Sequence, residues 1–219
     1  MNNPIVALFA YSSVVTMLIL GLTALFVANK QYDYGSKLFR YYFLLAAFVE
    51  LFMLGTTFLK VNNLVFANFF SVIQFFMIAS AIQWWMHEGA LKRFVFIVVN
   101  TAALVFAIMT LGNMFRMEFE TISVTLENII LMILSAIMLF QLTNDNTRYL
   151  ISNHKFWFTV SVFVYFSVMT VVTASANYVL SDNQRLHYIT WNINSVLSII
   201  ANILYIKGIL CLPAKKTSS

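Results

Sequence analysis

Two carboxyls stand inside long apolar runs, Glu50 in AAFVELFML and Glu127 in SVTLENIIL. A charged side chain near the centre of a bilayer costs about 2.5 to 3.5 kcal/mol on insertion scales, so such groups turn to a bundle interior and find partners there. The chemistry open to them is proton transfer and hydrogen bonding to a small polar ligand. Amides and hydroxyls occur at matching depth: Asn68, Ser71, Gln74, Asn113, Asn128, Thr170, Thr173, Asn177, Asn192, Asn194 and Ser195. The spacing i, i+3 of Ser71 and Gln74, and i, i+3, i+7 of Thr170, Thr173 and Asn177, predicts that each set shares one helix face. Glu50, Gln74, Glu127, Asn128, Asn177 and Asn194 are therefore the candidate ligand-binding residues, around a polar cavity open to the outside with Glu50 toward its floor. The same residue types also act singly as hydrogen-bond glue between spanning helices.

Other chemistry has no residues to carry it. His87, His154 and His187 show no H-x-x-x-H spacing, and the chain has no G-x-S-x-G, no C-x-x-C and no Gly-rich phosphate loop. No catalytic residue, metal or cofactor is expected. Lys207 falls in the last span, where a retinal-binding lysine would stand in an opsin, but it lies three or four residues from the helix end and can snorkel to water. Cys211 is single, which excludes an intrachain disulfide.

The elements that position these groups follow from composition. Of 219 residues, 61% are apolar and 10% charged, against roughly 45 to 50% and 25% in soluble domains. That excludes a soluble globular domain and a nucleic-acid-binding module. A spanning helix needs about 20 mostly apolar residues, and seven stretches qualify: 5–28, 38–59, 64–86, 93–115, 122–142, 156–180 and 188–210. Barrel strands would alternate apolar with polar, which LFRYYFLLAAFVELFMLGTTFL does not. Pro4 and Pro213 lie outside all seven, as unbroken helices in lipid require. The expected fold is an all-α polytopic membrane protein, a single seven-helix bundle over residues 1–219. Its loops, including the polar TNDNTRYLISNHK, are too short to hold a folded domain.

Basic residues set the orientation. With the N-terminus outside, Lys30, Lys37, Arg40, Lys92, Arg93, Arg148, Lys155, Lys207, Lys215 and Lys216 are inside, and Lys60, Arg116 and Arg185 outside. Acids are balanced, with Asp33, Glu88 and Asp145 inside and Glu118, Glu120 and Asp182 outside. The positive-inside rule thus predicts N-terminus out and C-terminus cytoplasmic. Trp84 and Trp85, Trp157, and Tyr188 with Trp191 fit interfacial belts. The N-terminus lacks a signal-peptide pattern and no N-x-S/T sequon occurs, so a bacterial inner membrane is expected.

The segment FWFTVSVFVYFSVMTVVTASANYVL, followed by WNINSVLSIIANILYIKGILC, resembles the end of a group of small seven-span membrane proteins of Bacteroidota, often encoded beside sensor histidine kinases. The Phe156–Trp157 start, Tyr165 to Ser167 and Trp191 to Asn194 carry the resemblance. It implies no catalytic residue and points to a sensory role with a signalling partner such as a histidine kinase. The expected function is a membrane sensory component that couples a small ligand, a lipid or an envelope state to that partner. The alternatives are a secondary transporter or proton-coupled carrier using Glu50, and an intramembrane lipid enzyme with Glu50 or Glu127 as acid or base.

Overall fold

The structure, a computed structural model, describes residues 4–27, 30, 32–59, 63–113, 121–145, 147–180 and 184–213. Side chains are described within these except at 4–7, 64, 113, 145, 147–149, 175–180 and 184–191. The order is α1 (Pro4–Phe26), α2 (Tyr34–Phe58), α3 (Leu64–Trp85), α4 (Ala90–Asn113), α5 (Thr121–Asp145), a 3₁₀ turn (Thr147–Ser152), α6 (His154–Leu180) and α7 (Gln184–Leu210). All seven α-helices are long and apolar enough to cross a membrane. Among the described residues the chain is thus all-helical, and its seven long apolar helices suit an integral membrane protein by length and composition. Its two ends are called here the N-side, where α1 begins, and the C-side, where α7 ends.

Helix starts differ most from the sequence expectation, because polar caps extend helices past the edge of their apolar runs. The Asp33 carboxylate accepts the Ser36 N–H at 2.7 Å, so α2 begins at Tyr34 rather than 38. The Asn153 side chain accepts the Lys155 N–H at 3.0 Å, and α6 begins at His154 rather than 156. The polar 143–155 segment, expected as a loop, holds the end of α5 and the 3₁₀ turn.

Helix neighbours form a closed ring. α1 packs on α2, α2 on α3, α3 on α5, α5 on α6, α6 on α7, and α7 back on α1. α4 stands outside this ring, against α3. Lipid tails are as apolar as leucine, so close packing and hydrogen bonds, rather than release of apolar surface from water, hold such a bundle. The C-side half of its interior is an aromatic plug. Phe39 stacks on Trp85 and Phe158 at ring centroid distances of 5.3 and 5.0 Å, and Phe43 packs on Tyr205 at 4.8 Å. A Cβ at Gly208 would lie 2.5 Å from the Phe158 ring, so only glycine lets α7 approach α6 at this level.

Trp84 and Trp85 do not form one interfacial belt. Adjacent helical residues point about 100° apart. Trp84 is exposed and packs on Tyr34, with the Lys92 ammonium 5.6 Å from its ring. Trp85 is buried, and its indole N–H donates to Asp33 at 3.0 Å. Lys207 is exposed near the C-side end of α7. Tyr188 and Trp191 fall outside the described side chains.

Candidate functional site

A cavity of about 90 Å³ lies inside the ring, lined from five helices. α2 contributes Tyr42, Ala46 and Glu50, at i, i+4 and i+8, which is one helix face. α7 contributes Ser198, Ala201, Asn202 and Tyr205, again one face. Gln74 and Phe70 come from α3, Tyr165 and Phe166 from α6, and Ser13 and Met17 from α1. At about 1.5 Å per residue, Glu50 stands roughly 12 Å from the N-side end of α2 and 24 Å from its C-side end. It is therefore well within the span.

Glu50 was expected at the cavity floor. The lining instead continues past it toward the C-side, to Tyr42, Asn202 and Tyr205, so that the aromatic plug is the floor and Glu50 stands above it. Asn202, not among the candidates, has two roles: its amide donates to Thr16 on α1 at 3.1 Å, and it lines the cavity. The signal that would have found it was the Tyr42, Ala46, Glu50 register, which carries the polar face two turns nearer the C-side.

No hydrogen bond from a described residue reaches the Glu50 carboxyl. Gln74, Tyr165, Ser198 and Asn202 line the same cavity, while the Tyr165 hydroxyl donates to Asn194 at 3.1 Å. A water site needs two to four polar partners and about 30 Å³ per molecule, so this volume holds about three waters or a small cation. Ligand pockets for metabolites run to about 300 to 1,000 Å³. The arrangement can bind and pass protons or hold a small hydrated ion beside one carboxyl.

The remaining candidates separate. Glu127 is buried and accepts a hydrogen bond from the Ser71 hydroxyl, tying α5 to α3. Ser71 and Gln74 thus do not share a target, since i, i+3 positions still differ by about 60° around the helix. Asn128 is buried and donates to Thr173 on α6 at 3.3 Å, and the Thr125 and Thr173 hydroxyls lie 3.0 Å apart. Glu127 and Asn128 therefore sit in interhelical contacts rather than among the lining residues of the Glu50 cavity. The Asn177 and Asn113 side chains lie outside the described residues.

A second polar cluster, missed in the sequence, joins α2, α3 and α6 at the C-side. Asp33 accepts from Ser36 and Trp85, with His154 Nε2 at 3.8 Å and Lys155 Nζ at 3.9 Å. Partial burial alone would raise the Asp33 pKa, but hydrogen bonding and the adjacent His154 outweigh it and hold the carboxyl well below the usual carboxylate range. The cue was Asp-x-x-Ser ahead of an apolar run, a helix-start pattern.

Among the described residues, no three His, Cys, Asp or Glu side chains come together as a metal site. No family model, curated protein or solved structure matches the chain.

Proposed function

We propose that this chain is a sensory component of a bacterial inner membrane, N-terminus out and C-terminus cytoplasmic, in which the polar cavity at Glu50 responds to the outer face and a signalling partner such as a histidine kinase reads the response. The observation that carries this reading is one carboxyl held at depth in a small polar cavity, about 90 Å³. What it can register is correspondingly small: a proton, a cation, or water redistributed by a change in lipid or envelope state. Short loops leave output to a partner, and the excess of basic residues on the C-side suits docking at an anionic inner leaflet. The mechanism requires two bundle states with different affinity for whatever enters the cavity, because equal affinity shifts nothing.

The row of hydroxyls and amides running from Glu50 to Tyr205 favours a second reading, a proton-coupled carrier. Against it, each of the seven spans is continuous helix within the described residues, whereas carriers commonly build their sites from broken helices. Affinity purification from native membrane with crosslinking tests the first reading. A stoichiometric signalling protein should be recovered, and Glu50→Gln should change its response to outer pH or salt by about 5- to 150-fold, the usual range of allosteric coupling. Proton flux in reconstituted vesicles, driven by a substrate and lost in Glu50→Gln, would transfer the assignment to transport.

A further inference from the structure

α4 is the one spanning helix outside the ring, and its outer face carries a feature that lipid does not explain. Val95, Val99, Phe106 and Thr110 are buried, and Phe106 meets Phe75 of α3 edge-on at 5.2 Å. Turned well away from that seam is the exposed stripe Ile97, Asn100, Leu104, Ile108 and Leu111. Asn100 lies ten residues from the start of α4 and thirteen from its end, or about 15 and 20 Å. That places an exposed carboxamide near mid-bilayer, with the exposed Thr101 beside it. Its described hydrogen bond goes to the Phe96 carbonyl, one turn back on the same helix, at 2.7 Å. One amide N–H and the carbonyl oxygen have no other described partner, hydrocarbon offers them none, and burying an amide unpaired costs several kcal/mol.

We infer that the outer face of α4 is the contact between two copies of this chain, with Asn100 pairing with Asn100 across a two-fold axis. A carboxamide is donor and acceptor at once, so it is complementary to itself. In an isologous dimer a residue near the axis meets its own counterpart, and two such amides exchange two hydrogen bonds. A lipid tail can supply neither, whereas a second copy necessarily brings the same donor and acceptor at the same depth. Ile97, Leu104 and Ile108 supply apolar packing above and below the pair. This inference stands independently of the Glu50 cavity.

The test is the full-length chain in phosphatidylcholine and phosphatidylglycerol vesicles, with subunits counted by single-molecule photobleaching across a series of protein-to-lipid ratios. The wild type should show a dimer that dilutes to monomer. Interhelical hydrogen bonds in membranes average about 0.6 kcal/mol, so losing two should weaken dimerisation roughly tenfold in Asn100→Leu, and Asn100→Gln should restore most of it. With Cys211→Ser as background, Leu104→Cys should crosslink and Leu22→Cys, on exposed α1, should not. A wild type that is monomeric throughout, a dimer unchanged in Asn100→Leu, or crosslinking as efficient at position 22 as at 104 would each overturn the inference.

Discussion

Replacing Gly35 by alanine is expected to lower the unfolding free energy by about 2 to 4 kcal/mol, a large effect for one methyl group. An added Cβ would stand 2.6 Å from the Trp85 indole nitrogen and 3.0 Å from the Ala81 carbonyl oxygen. The indole has no room to retreat, because Trp85 is stacked with Phe39 and lies nearly parallel to Phe158 at 6.0 Å. Overpacking of this kind costs about 1 to 3 kcal/mol, and displacing the indole breaks its bond to the Asp33 carboxylate, about 1.5 to 3 kcal/mol for a charged acceptor. The helix-propensity gain of alanine, at most about 1 kcal/mol, does not offset both. Gly55 is the control, with nothing within 4 Å of a Cβ, and Gly55→Ala should be neutral or slightly stabilising. Reversible unfolding in bicelles, followed by tryptophan emission, measures both; equal stability of the two variants would refute the assigned role of Gly35.

Asp33→Ala should cost a similar 2 to 4 kcal/mol, by a different route. It removes the cap of α2, about 1 kcal/mol, and leaves the buried Trp85 N–H without its acceptor. The longer contacts to His154 and Lys155 add little, since the carboxylate is partly exposed and solvent screens it. Asp33→Asn keeps an acceptor oxygen and should lose less than about 1.5 kcal/mol. The two variants also differ from wild type in their pH dependence. Because the folded carboxyl is held below its ordinary value of 3.8, the unfolded state binds more protons in the window beneath that value. The stabilisation from Asp33 is then fully present above about pH 4 and is lost as pH falls through the folded pKa. Unfolding measured from pH 6 down to pH 3 should show a decline in wild type that is shallower in Asp33→Asn. Identical slopes would mean that another carboxylate governs acid sensitivity.

How much of this was legible in the sequence depends on which physical constraint was at work. Span positions were readable because the bilayer demands about 20 apolar residues, and all seven were found with edges displaced by a few residues where Asp33 and Asn153 lengthen helices. Facing was not readable. A soluble helix marks its buried side by polarity, but these spans are apolar all round, so Tyr42 and Asn202 gave no sign that they face the same cavity as Glu50. Depth put Glu50 and Glu127 on equal footing, whereas rotation about the axis placed Glu50 against free volume and Glu127 against Ser71. Gln74 and Ser71 parted in the same way. The Asp33 cluster escaped notice because its members lie on three helices and converge only through the fold.

The closure of α1 onto α7 is what completes the ring. Asn202 of α7 donates to Thr16 of α1, and Lys30, in the connection after α1, donates to the Leu210 carbonyl at 3.3 Å. Without α7 the ring of contacts is open between α6 and α1, and Ser198, Asn202 and Tyr205 are not there to wall in Glu50. A bundle without α7 leaves a carboxyl facing lipid at a penalty of a few kcal/mol, together with an unfilled flank on α1. Seating of α7 between α6 and α1 is thereby coupled to enclosure of Glu50.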